Sequence, residues 1–184
     1  MQGLIFNLLG ERVSEAWGEA YWTDLIAETP GMDNPVFVGP KNYPDEGFTS
    51  LVTRVSTDRG MPMDELLVDF GRWCFPRLAA THPVFLEGYG RAQDFLLTVE
   101  DVVHTEVRKL YDDAYLPRIR FERPTSSTLV AIYHSKRKLC WLAEGLIRGV
   151  GDFFGEEVST AQEACMHEGA PECRIRVDFE PTRA

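Results

Sequence analysis

The sequence predicts an α+β fold: a mostly helical first half, then a small antiparallel sheet crossed by one long helix. Three observations carry this. Apolar residues recur at helical spacing through most of residues 4–112. Alternating apolar and polar runs appear only after Pro117. RKLCWLAEGLIRGVGDFFG then separates those runs with an apolar helix closed by Gly155.

Leu4, Ile5, Leu8, Leu9, Val13 and Trp17 share one face of a first helix over 4–17, with Ser14 and Glu15 on its wetter side. Thr23 is the expected cap of a short helix through Ile26, which the Pro30-Gly31 pair ends. DNPVFVGPKNYPDEG, with three prolines and two glycines, reads as loop. Helical patterns return at 47–57 and at 63–75, where Leu66, Leu67, Phe70 and Trp73 lie on one side, and Pro83 opens another. Residues 95–112, FLLTVEDVVHTEVRKLYD, form the clearest amphipathic helix. Leu96, Val99, Val103, Val107 and Leu110 make its stripe, and His104 borders that stripe beside Tyr111. RIRFER, TLVAIYHS and CRIRVDFE supply the strands.

The chain has 184 residues, 44% hydrophobic and 26% charged, the balance of a chain that buries a core. It shows no internal repeat, low-complexity tract or long flexible linker, so one domain over 1–184 is expected. A formal charge of −10 offers no basic footprint for nucleic acid or anionic lipid. The opening MQGLIFNLLGERV has too short an apolar run and too early a Glu11-Arg12 pair for an export signal or a membrane span. A cytoplasmic chain is therefore expected, with Cys74, Cys140, Cys165 and Cys173 as reduced thiols.

Two sets of residues can carry chemistry. In YHSKR, alternate residues of an extended segment point the same way, so Tyr133, Ser135 and Arg137 can converge. Two hydroxyls and a guanidinium suit a carboxylate or phosphate, beside the positive end of the following helix. A strand end facing water reads equally well from pattern alone. His104, at the edge of an apolar face, is either a core histidine or a ligand; ligation needs a neutral ring, a dry cavity and a partner for the second nitrogen.

Together these motifs resemble the haem nitric oxide/oxygen-binding (H-NOX) domains, related to the haem domain of soluble guanylate cyclase. The resemblance runs through MQGLIFNLL, Trp22, VEDVVHTEVRKLYDDAYLP, YHSKRKLCWLAEGLIRGVGDFFG and HEGAPECRIRV. It implies a stand-alone sensor without catalytic residues, with a distal helical lobe over about 1–62 and a proximal lobe with the sheet over 63–184. It implies haem b ligated by His104, propionates held by Tyr133, Ser135 and Arg137, and Pro117 pressing on the porphyrin. Ile5, Leu9 and Leu146 match pocket positions, and Leu142 sits where oxygen-binding members carry tyrosine.

Leucine cannot donate the hydrogen bond that stabilises bound O₂, so the resemblance implies nitric oxide and carbon monoxide as ligands, with O₂ excluded. Tyr21, Tyr43 and Tyr89 are alternative donors without motif support. Nitric oxide would loosen the iron–His104 bond, and a separate partner, such as a histidine kinase or a diguanylate cyclase/phosphodiesterase, would feel the shift.

Cys140, Cys165 and Cys173, with His167 in CMHEGAPEC, form a candidate zinc set. Zinc-bearing relatives carry a histidine at the position of Gln162, so either His167 substitutes or the site lacks its fourth ligand. Two other classes stand as rivals. One is a haem-free, vinyl-reductase-like small-molecule module with a structural zinc site, suggested by the G-A-x-x-C-x-I-x-V ending. The other is a Cys165–His167 enzyme, for which no orienting acid or oxyanion motif appears.

Overall fold

The computed structural model describes residues 1–32, 36–111 and 114–180. Helices α1 (Gly3–Trp17), α2 (Glu19–Ala27), α3 (Asp45–Arg59) and α4 (Met63–Thr81) come first. A 3₁₀ turn at Pro83–Leu86, α5 (Ala92–Leu96), a π-helical turn at Val99–His104 and α6 (Thr105–Leu110) follow. Strands β1 (Arg118–Glu122) and β2 (Thr128–His134), helix α7 (Cys140–Phe154), and strands β3 (Val158–Ala164) and β4 (Cys173–Phe179) complete the chain.

Thr23 lies inside α2 instead of capping it; its hydroxyl donates to the Glu19 carbonyl at 3.0 Å, and Gly18, at φ 93°, makes the break from α1. The acidic residues at the end of the expected loop belong to α3, where Asp45 and Glu46 favour the positive end of the helix. The segment expected as one helix over 95–112 is divided, and residue 112 lies outside the described residues. A π turn holds an extra residue per turn, so the 3.6-residue stripe slips. Leu110 is accordingly 58% exposed.

The sheet is fully antiparallel in the order β1-β2-β4-β3. β3 lies at one edge and was not visible in the sequence. Its half-buried face is Val158, Thr160, Gln162 and Ala164, too polar and small to stand out as an alternating apolar run.

Two apolar clusters result. One joins α1, α2, α3 and the first half of α4 around Phe6, Phe48, Leu51 and Phe70. The other joins the sheet to α5, the end of α4 and the inner face of α7, around Leu129, Ile147, Ile175 and Val177. Helices α4 and α7 approach so closely that only glycine fits their seam. A Cβ at Gly145 would stand 2.2 Å from the Val68 carbonyl oxygen, and one at Gly71 2.4 Å from that of Leu142. Gly155, at φ 68°, closes α7 in the left-handed conformation, as its place after the apolar run predicts. Among the described residues no helix is long and apolar enough to cross a membrane.

Candidate functional site

Between the clusters lies a cavity of about 290 Å³. Its walls are apolar: Leu4 and Ile5 from α1, Val103 from the π turn, Pro117 before β1, and Leu142 and Leu146 from α7. A second apolar chamber of about 200 Å³ adjoins it, and the two share His104, Pro117 and Leu146. Leu9 does not line either space. It is 2% exposed in the helical cluster, because four residues carry it about 6 Å along α1 beyond Ile5.

His104 closes the π turn and faces both chambers, with its side chain 14% exposed. Its Nδ1 lies 3.0 Å from Glu100 Oε2. Burial lowers the His104 pKa, and the attraction of Glu100 opposes this only in part, so the ring is neutral at neutral pH. A neutral ring beside an acceptor carries its proton on Nδ1, which leaves the Nε2 lone pair free. Glu100 also accepts from the backbone N–H of Ile119 at 3.1 Å and from Arg108 Nη2 at 2.7 Å. Burial raises the Glu100 pKa, but those three hydrogen bonds outweigh it and hold the carboxyl below its usual range, ionised.

At the other end of the cavity, β2 stops and the chain turns over Ser135–Lys138. Lys138 sits at φ 51°, and its N–H donates to the Ser135 carbonyl. Tyr133 and Ser135 are 2% and 1% exposed. The Tyr133 hydroxyl accepts from the Leu139 N–H at 3.1 Å, and burial pushes its pKa up to about 12. Ser135 Oγ accepts from the Arg137 N–H at 3.2 Å. The Arg137 guanidinium donates to the Tyr115 carbonyl and lies over the Tyr115 ring, while its Nε stands 2.8 Å from Asp45 Oδ1 in poor alignment for a hydrogen bond. Asp45 also receives the Met1 amine at 2.5 Å. The YHSKR turn and His104 thus line the same cavity from opposite elements.

The chemistry of that lining fits a flat apolar macrocycle with carboxylates at one edge. Two buried donors on the wall, Gln2 Nε2 and Arg137 Nε, have no hydrogen-bond partner, and a carboxylate would satisfy such groups. Gln2 and Glu100 are site residues that the sequence reading missed. Glu100 was legible as an acid four residues before His104, whereas Gln2 carried no local signal.

The sulfurs of Cys140, Cys165 and Cys173 lie within 4.8 Å of one another, and Cys140 and Cys165 approach to 3.8 Å without bonding. Burial and the neighbouring sulfurs raise the Cys140 pKa, so a cation must displace its proton to bind. His167 stands apart from this trio. Its ring stacks on Trp141 at 4.3 Å, and its Nε2 donates to the Lys138 carbonyl at 2.8 Å. Gln162 Nε2 donates to the buried Glu144 at 3.2 Å, in a network with Thr160 and Arg148, while its Oε1 is buried without a partner. Cys74 is buried alone, its pKa pushed up to about 12 by desolvation.

The fold and cavity define a domain whose apolar cavity is lined by a half-buried, neutral imidazole. The chain belongs to the haem-NO-binding (HNOB) family, whose characteristic domain matches residues 2–162. Members are haem-based gas sensors. An H-NOX protein from S. oneidensis in the Fe(II)NO ligation state is 30% identical and superposes with a TM-score of 0.93, covering 98% of this chain and 100% of that one. The Shewanella oneidensis H-NOX domain in the Fe(II)CO ligation state is also 30% identical, at a TM-score of 0.88 over 98% of this chain and 99% of that one. An Fe(II) unliganded H-NOX protein from K. algicida shares the fold, with 23% identity and a TM-score of 0.91 over 100% of this chain and 99% of that one. A comparison with curated proteins finds no match.

Proposed function

We propose that this chain is a cytoplasmic, haem-based sensor of nitric oxide and carbon monoxide that signals to a separate protein. The observation that carries the reading is a His104 ring that lines an apolar cavity with its Nδ1 engaged by Glu100 and with hydroxyl, guanidinium and amide groups elsewhere in the wall. Ferrous haem b would supply an open coordination position able to take a diatomic ligand.

The chain's own residues supply the rest. His104 offers Nε2 to the iron. Tyr133, Ser135 and Arg137 receive the propionates, with Gln2 as an added donor. Pro117 would bear on the macrocycle, and Ile5, Leu142 and Leu146 keep the chamber apolar. Leu142 has no hydrogen to donate to bound O₂. Of the other tyrosines considered, Tyr21 donates to Asp58 at 3.1 Å, Tyr43 accepts from the Val38 N–H, and Tyr89 is not in the wall. Nitric oxide and carbon monoxide bind ferrous iron without such a donor, and in relatives from S. oneidensis both are bound. The partner fitting this output is a histidine kinase or a diguanylate cyclase/phosphodiesterase, responding to a shift of the His104 segment against α1. We further propose that Cys140, Cys165 and Cys173 hold structural zinc as thiolates; His167 joins them only if its stack on Trp141 opens.

One spectrum tests the reading. Reduced protein expressed with haem supply should show a Soret band that nitric oxide and carbon monoxide both shift, and air should give no stable oxy complex. His104→Ala should lose haem and regain it with free imidazole. A wild-type chain that takes up no haem, or a ferrous spectrum unchanged by His104→Ala, defeats the reading.

A further inference from the structure

Glu100 lies one turn before His104, was given no role in the reading above, and accepts a hydrogen bond from the imidazole. Its Oε2 accepts from His104 Nδ1 at 3.0 Å and from the Ile119 N–H at 3.1 Å, while Oε1 accepts from Arg108 at 2.7 Å. The carboxylate is thereby fixed at three points drawn from the π turn, α6 and the start of β1. A carboxylate held this way fixes the tautomer of a ligating histidine, prevents rotation of its ring, and increases the electron density at the opposite nitrogen. Glu100 and His104 stand four residues apart, the spacing at which side chains on one helical face meet, and the Ile119 N–H ties their pair to β1.

We propose that Glu100 is the positioning residue that sets the strength of the iron–His104 bond, and that Arg108 moderates it by partly neutralising the carboxylate. The inference rests on the haem reading above. With Glu100 in place a ligating imidazole would have partial imidazolate character, which would strengthen its bond to haem iron and favour the ferric state. Without it both effects would reverse.

The test uses haem-loaded wild type, Glu100→Gln and Arg108→Ala, compared by resonance Raman of the ferrous state, by midpoint potential and by haem release. Glu100→Gln should move the iron–histidine stretch to lower frequency, raise the potential, and release haem about 10–100-fold faster. Arg108→Ala leaves the carboxylate anionic and unneutralised, so its stretch should move to higher frequency. Opposite shifts support the proposal, because simple loss of packing would move both variants the same way. An unchanged stretch in haem-bound Glu100→Gln, or same-sign shifts in the two variants, overturns it. If Glu100→Gln retains no haem, Arg108→Ala alone decides by its sign. A wild type without a Soret band defeats the haem reading itself, an outcome distinct from failure of the Glu100 assignment in a haem-loaded protein.

Discussion

Gly145→Ala tests whether the α4–α7 seam sets the shape of the cavity. The added Cβ would stand 2.2 Å from the Val68 carbonyl oxygen and 2.9 Å from the Gly71 Cα, both backbone atoms that no rotamer change can move aside. Ordinary carbon–oxygen contacts lie at about 3.3 Å or more, so the two helices must part by about 1 Å at this point. A gap of that size forfeits up to about half of the dispersion energy of the facing atoms. Overpacking costs about 1–3 kcal/mol and sometimes more, offset by up to about 1 kcal/mol from the better helix propensity of alanine. Because the clash is with two backbone atoms the cost falls at the upper end, about 2 kcal/mol net, and at roughly 2–4 °C per kcal/mol for a chain of this size thermal unfolding should fall by about 4–8 °C. Gly90→Ala, where no atom lies within 4 Å of the added Cβ, serves as control and should stay within about 0.5 kcal/mol. Gly71→Ala should behave like Gly145→Ala, and the double variant should cost less than the sum, since one separation relieves both clashes. Equal melting temperatures for Gly145→Ala and wild type would refute the reasoning.

Leu142→Tyr should introduce a donor into the cavity and stabilise an oxy complex by about 1–3 kcal/mol, roughly 5–150-fold in O₂ affinity, read by titrating ferrous protein with oxygen. Burial raises the Asp45 pKa, but Arg137 and the Met1 amine outweigh it and hold the carboxyl below its ordinary value of about 3.9. A depressed folded-state pKa contributes stability above the unfolded value, and that stability is lost as pH falls through the folded one. Asp45→Asn should therefore be less stable than wild type at pH 6, and the difference should shrink as pH falls below the ordinary carboxyl value, measured by denaturant unfolding. Reduced protein should carry zinc by elemental analysis, and Cys165→Ser should lose it; wild type free of zinc would remove the thiol-site proposal.

Legibility followed local signal strength. Helix α7 announced both of its ends, by the change of pattern after YHSKR and by Gly155, and β1, β2 and β4 alternate plainly. The edge strand β3 did not, because its inward residues include Thr160 and Gln162, which face the buried Glu144 instead of an apolar layer. The π turn was invisible for a different reason. The valines at 99, 103 and 107 keep a helical spacing whether or not the turn widens, and the widening is stabilised by contacts with β1 that no local window contains. His104, Tyr133, Ser135 and Arg137 stood out through spacing and resemblance. The sequence could not reveal what the ring's second nitrogen touches, or that Asp45, which holds the Met1 amine, meets Arg137 across more than ninety residues.

That last contact shapes how the two halves of the molecule can respond to a ligand. The cavity wall is drawn from α1 on one side and from the π turn and α7 on the other, so a bound group that moves His104 relative to Ile5 must deform whatever joins the halves. Among the described residues, two contacts bear on this. The glycine seam brings backbone against backbone, and packing that tight resists gradual deformation. The polar joint is softer: Asp45, on α3, accepts from the Met1 amine while Arg137, from the YHSKR turn, lies against it in poor alignment. A propionate offered to Arg137 would compete for the guanidinium that Asp45 faces, so a carboxylate gained at the cavity end would weaken the inter-half pair. On the haem reading, loading the cavity and loosening the polar joint would therefore be one event, which would leave the seam to set the direction of any movement that follows.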